Sequence, residues 1–186
     1  MRSVKFKNGA IVLAEGDITK QSTEAIVNAA NSGLMGGGGV DGAIHSAGGP
    51  AILEECKVII ERIGRLEPGH AVMTTAGEMP SRFVIHTVGP IWRNGSCGEP
   101  ETLASCYSKC LELAVEEGIR TISFPSISTG AYGYPLDQAA EIALRTVKDF
   151  LEHIEGVREV VFVLWGKDSF NSYENALKGL TKGKKI

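Results

Sequence analysis

The stretch EVVFVLW, residues 159–165, sets the tightest limit on what this chain can fold into. After Glu159 no polar residue interrupts it. A strand with one wet face alternates apolar and polar residues; an unbroken apolar run needs cover on both faces. The rest of the chain supplies that cover. Short strand-like runs (EAIVNAA, AVMTTA, RFVIHTV, TISFP) interleave with helical patterns (AILEECKVIIERI, ETLASCYSKCLELAVEEG, PLDQAAEIALRTVKDFLEHI, SFNSYENALKGL). In the first helix Ile52, Leu53, Cys56, Ile59, Ile60 and Ile63 recur at helical spacing. Gly118 reads as a left-handed stop, and Pro135 fits the first turn of the next helix. SVKFKNGAIVLA reads as a β-hairpin turning at Asn8-Gly9. Strands alternating with helices predict an α/β class with a mixed, mostly parallel sheet between helix layers.

At 186 residues the chain predicts one domain over 1–186, with a motif-bearing core at about 10–180 and a frayed basic tail at 181–186. The net charge of −3 gives no global attraction to nucleic acid or to an anionic membrane. No apolar stretch reaches membrane-spanning length and no signal-peptide pattern opens the chain, so the expected location is the cytoplasm. Cys56, Cys97, Cys106 and Cys110 form no CxxC pair. Cys106 and Cys110, one helical turn apart among apolar residues, read as buried hydrophobes, and no metal site is expected.

In such sheets ligands bind beyond the carboxyl ends of the strands, so the loops after strands carry the information. NAANSGLMGGGGVDG follows one strand. Gly37, Gly39 and Gly42 match G-x-G-x-x-G in letters only: Asn28 to Met35 stand between strand and glycines, and the acids about 20 positions on lie within a helix. No Gly-Lys-Ser/Thr follows, so a P-loop is excluded. The physics of such loops still holds. Glycines let backbone N–H groups approach an anion, and a helix start adds partial positive charge. PSISTGAYGYP repeats the device with Ser126, Ser128, Thr129, Gly130 and Gly133. Together the two loops predict a lysine-free diphosphate clamp.

Asn28 and Asn31 stand at a strand end, where an amide suits either sugar hydroxyls or the turn's own backbone. Alternation would aim one inward as support and leave the other for ligand. Asp41 has two readings: an N-cap of the helix GAIHSA, favoured by spacing alone, or a carboxylate that orients water. His45 and His86 read as structural histidines, and no nucleophile triad is present.

The segments GDIT, AIVNAAN, GGGGVDGAIH, IHTVGP and FPSISTGAYGYP closely resemble the macro domain, and within it the MacroD-like hydrolases. The match runs from about Glu15 to Trp165. The resemblance implies a three-layer α/β/α sandwich binding ADP-ribose across the strand ends. Asp17 would accept a hydrogen bond from the adenine amino group beside the Ile18 backbone, with Trp165 flanking the base. Gly37, Gly38, Gly39 and Val40, with Ser128, Thr129, Gly130, Ala131 and Tyr132, would wrap the diphosphate and distal ribose. Asn31 would hold that ribose, and Asp41 would lie near its anomeric carbon as the second catalytic candidate. The implied activity is hydrolysis of esters on the distal ribose, in ADP-ribosylated Asp or Glu of proteins and in O-acetyl-ADP-ribose. No cofactor is implied, and no membrane or nucleic-acid partner. Rival readings are a non-catalytic ADP-ribose reader and a regulatory partner of another enzyme. Asn31 together with Asp41 favours the hydrolase.

Overall fold

EVVFVLW becomes β7 (Glu159–Leu164), third in a seven-stranded sheet and paired in parallel on both sides. The computed structural model describes residues 2–181; Lys182 and the rest of the expected basic tail lie outside the described residues. The other strands are β1 (Arg2–Lys5), β2 (Ala10–Glu15), β3 (Ala25–Ala29), β4 (Ala71–Thr75), β5 (Phe83–Thr87) and β6 (Thr121–Phe124). The sheet order is β1-β2-β7-β6-β3-β5-β4. Only β1 and β4, the two edges, run antiparallel to their neighbours. The mixed, mostly parallel sheet is therefore as expected.

The pleat sends successive side chains to opposite faces, and two cores result. Ile11 and Leu13 of β2, Ala25 and Val27 of β3, and Phe162 of β7 face a core closed by α3 (Glu99–Glu116), α4 (Leu136–His153) and α5 (Lys167–Leu180). Val12, Ile26, Val161 and Val163 face the other, closed by α1 (Gly39–Gly48) and α2 (Pro50–Ile63). Three layers follow directly from this alternation. Cys106 and Cys110 are fully buried in the first core and Cys56 in the second.

Two local expectations are corrected. The hairpin is not a two-residue Asn-Gly turn: residues 6–9 form its loop, closed by Phe6 N–H to the Gly9 carbonyl (2.7 Å), and neither Asn8 nor Gly9 has positive φ. Gly9 is needed instead for close approach, since a Cβ there would stand 2.7 Å from the Arg158 carbonyl oxygen. Pro135 occupies the cap position of α4 rather than its first turn.

Candidate functional site

Four parallel strands, β2, β7, β6 and β3, lie side by side, so their carboxyl ends open along one edge. At a strand spacing of about 4.8 Å that edge runs roughly 15 Å. The order of strands fixes the order of loops. Asp17 follows β2, Trp165 follows β7, the Ser126–Tyr132 segment follows β6, and Asn31 with the glycine run follows β3. Residues far apart in sequence thus form one row.

At the β2 end Asp17 caps a single 3-10 turn, Ile18–Lys20. Its Oδ1 accepts from the Thr19 backbone N–H (2.9 Å) and hydroxyl (2.7 Å), which leaves Oδ2 for another donor. Ile18 buries its side chain in the second core. Gly16 N–H bonds the Leu164 carbonyl (3.1 Å), tying the Asp17 turn to the end of β7. There Trp165 stands 80% exposed.

The second loop is braced from within. Thr129 donates its hydroxyl to Ser126 Oγ (2.9 Å), and Ser126 Oγ also accepts from Tyr173 (3.0 Å). The hydroxyls of Ser126 and Thr129, expected to face a ligand, hold the loop instead. Ser128 has φ +66°, a left-handed conformation unusual outside glycine, and its buried Oγ has no hydrogen-bond partner among the described residues. Gly130 and Ala131 are exposed at the tip, and Tyr132 is half-buried.

The first loop delivers Gly37 and Gly38 to the surface ahead of α1, whose first residue Gly39 is also exposed, with Val40 packed against the second core. Gly38 is the cap residue and makes no side-chain capping bond. The first N–H groups of a helix have no intrahelical acceptor, so this uncapped end is a ready anion site. Gly42 is required by packing: a Cβ there would overlap the Gly37 carbonyl oxygen.

Asp41 is not the helix cap that its spacing favours. The helix begins at Gly39, and Asp41 sits in its first turn with the side chain turned inward, 4% exposed. Its Oδ1 accepts from Asn28 Nδ2 (2.7 Å) and lies 3.5 Å from His45 Nε2, one helical turn on. Its Oδ2 faces the glycine run. A Cβ on Gly37 would stand 3.1 Å from Asp41 Oδ2 and 3.5 Å from Asn31 Nδ2, so the glycine keeps the space between those two groups clear. Asn31 is half-buried; it donates to the Gly36 carbonyl (3.0 Å) and accepts from Gly33 N–H (3.1 Å), bracing the loop. One amide hydrogen and one oxygen lone pair of Asn31 remain uncommitted.

Asn28, expected to meet a ligand, is fully buried. Its Nδ2 donates to Asp41 and lies 3.1 Å from His86 Nδ1, its register partner across β3 and β5. With both hydrogens of Nδ2 engaged, His86 Nδ1 accepts and the ring proton sits on Nε2. Nε2 then donates to Thr74 Oγ1 (2.9 Å), which donates to the Thr75 carbonyl (2.9 Å). Burial first, and His45 second, push the His86 pKa down to about 3, so the ring is neutral and the chain of donors is consistent. Burial likewise pushes the Cys56 thiol up to about 11, with Asp41 and Glu55 adding to the effect. His45 and His86, read from sequence as structural, are part of the buried network that orients Asp41. The spacing of Asp41 and His45, one helical turn apart, was a legible signal; the pairing of Asn28 with His86 across the sheet was not.

A cavity of about 430 Å³ adjoins this end of the row, with Ser32 and Tyr132 on its rim. A second, of about 460 Å³, is lined by Asn8, Arg120 and Arg158 at the opposite, amino end of β6 and β7, away from all these loops. Among the described residues no helix is long and apolar enough to cross a membrane, and no three His, Cys, Asp or Glu side chains are grouped to hold a metal ion.

Comparison with known proteins accounts for the pattern. The Macro domain family model matches residues 27–143. A macro domain-containing protein of Caldanaerobacter subterraneus subsp. tengcongensis is 55% identical over 92% of this chain and 98% of its own length. The O-acetyl-ADP-ribose deacetylase of Cronobacter turicensis is 50% identical over 91% of this chain and 97% of its own. Among solved structures, the Oceanobacillus iheyensis macrodomain with ADP superposes with a TM-score of 0.94 at 44% identity, covering 97% of this chain and 96% of that one. The fold is that of this group, and the chain belongs to the Macro domain family.

Proposed function

We propose that the protein binds ADP-ribose along the row of loops and hydrolyses esters on its distal ribose. The substrates are O-acetyl-ADP-ribose and proteins mono-ADP-ribosylated on Asp or Glu. The observation that carries this reading is the inward-turned Asp41 carboxylate, held by Asn28 and separated from Asn31 only by the missing side chain of Gly37.

The row matches the ligand part by part. Trp165 offers a stacking face and Asp17 Oδ2 an acceptor for the adenine amino group. The uncapped start of α1 and the tip at Gly130 and Ala131 supply backbone N–H groups for the diphosphate. Asn31 takes the distal ribose hydroxyls with its uncommitted donor and acceptor. The ester then lies beside Asp41 Oδ2, which orients a water molecule. The water oxygen adds to the acyl carbon and the bond from that carbon to the ribose oxygen breaks; one proton of the water passes to the ribose oxygen and the other is released to solvent. ADP-ribose and a carboxylate leave. No covalent enzyme intermediate is needed, which agrees with a site that has no nucleophile triad. Loop N–H groups stabilise the negative charge that develops. The O-acetyl-ADP-ribose deacetylase relative supports this reaction class.

Offering the protein O-acetyl-ADP-ribose and glutamate-linked mono-ADP-ribosylated protein side by side tests the reading. Release of acetate from one and of ADP-ribose from the other is expected. Binding of both without product release would make the protein a reader.

A further inference from the structure

The cavity of about 430 Å³ is built onto the ribose end of the row. Ser32 on its rim directly follows Asn31, and the Ser32 carbonyl accepts from Leu66 N–H (3.0 Å), which brings Arg65 to the same rim. Gly89 lies so close to the second loop that a Cβ would overlap Ser128 Oγ. The outer wall is held firmly. The buried carboxylate of Glu99 accepts from the backbone N–H groups of Arg93 (2.7 Å), Gly95 (3.1 Å) and Cys97 (2.5 Å). Trp92 N–H donates to the Tyr132 carbonyl (2.9 Å), and its ring lies 4.6 Å from that of Tyr134. The wall is thereby joined both to α3 and to the second loop.

Size and charge both bear on the occupant. The volume falls in the range of pockets that enclose drug-sized groups and far exceeds a two-carbon acetyl. Arg65 is already paired with Glu67 (2.8 Å), and the Glu99 carboxylate is fully engaged by amides. Arg93 is exposed, and its guanidinium has no partner among the described residues. A group esterified to the distal ribose would leave the row through this cavity, past one free cation.

We propose that the cavity is an acyl-side subsite that takes the polypeptide carrying the esterified Asp or Glu, with Arg93 pairing a second carboxylate on that segment. This rests on the hydrolase reading above and narrows its protein substrates to acidic segments.

The test compares three substrates: O-acetyl-ADP-ribose, a glutamate-linked ADP-ribosyl peptide with acidic neighbours, and the same peptide with those neighbours changed to amides. Arg93 is exposed, so its pair is worth about two- to fivefold in kcat/KM. The native protein should prefer the acidic peptide by that factor. Arg93→Ala should erase the preference, and Arg93→Glu should reverse it. Raised salt should reduce it, because exposed pairs are screened. Neither variant should alter kcat/KM for O-acetyl-ADP-ribose. Equal rates on the two peptides, or an equal loss on peptide and acetyl substrates, would overturn the assignment. Acetate release without peptide preference refutes the subsite alone, whereas no release from any substrate refutes the hydrolase reading and the subsite with it.

Discussion

Acidification should destabilise the fold that holds the network behind Asp41, and the size of the effect follows from His86. Its pKa is about 3 in the folded protein against an ordinary 6.5, because burial, reinforced by His45, disfavours the charged ring. Below pH 6.5 the unfolded chain takes up a proton that the native state refuses. His86 therefore contributes stability that is complete above pH 6.5 and is lost progressively as the pH falls towards 3. The difference amounts to about 4–5 kcal/mol across the whole window and to about 3 kcal/mol by pH 4.5. Other groups titrate over the same range, so the comparison is with His86→Gln, which keeps an amide near Thr74 and does not titrate. Urea denaturation at pH 7.5 and 4.5 should show the native protein losing about 3 kcal/mol more than the variant. The imidazole resonances of His86 in the folded protein should stay those of a neutral ring down to pH 4. Parallel pH profiles for the two proteins, or an NMR titration of His86 near pH 6.5, would refute the reasoning.

Two further perturbations separate packing from ligand contact. Gly42→Ala places a Cβ against the Gly37 carbonyl and should destabilise the fold by about 1–3 kcal/mol in urea denaturation, with weaker ADP-ribose binding as the loop shifts. Gly38→Ala, whose Cβ meets nothing within 4 Å, should leave stability close to native. Trp165→Ala should weaken ADP-ribose binding by about 1–3 kcal/mol in calorimetry while leaving ribose 5-phosphate unaffected, since only the base stacks. Asp17→Ala should weaken binding and reduce selectivity for adenine; unchanged affinity in both variants would remove the base from that end of the row.

Much of this architecture was legible in the chain. EVVFVLW announced a strand covered on both faces, and the interleaved helices announced what covers it. The two glycine loops were also visible, because short motifs keep their chemistry within a few residues, whereas Asn31 and Asp41 stood out as a pair only through the family resemblance. What escaped were contacts created by pairing. Asn28 stands opposite His86 only because β3 lies beside β5, and no local pattern states that register. The same holds for Ser126, whose hydroxyl reads as a ligand donor until Tyr173, 47 residues on, is found bonded to it. Asp41 is the intermediate case. Its spacing fits a cap, but the uncapped helix start one turn of glycine earlier frees it to turn inward.

In the proposed mechanism Asp41 acts on the reaction rather than on binding. Asp41→Ala should bind ADP-ribose in calorimetry with a Kd within a small factor of the native protein. Its turnover of O-acetyl-ADP-ribose should fall about 10²–10⁴-fold, the usual loss for a positioned acid or base. Native turnover in that variant, or a loss of binding that matches the loss of turnover, would remove Asp41 from the chemical step.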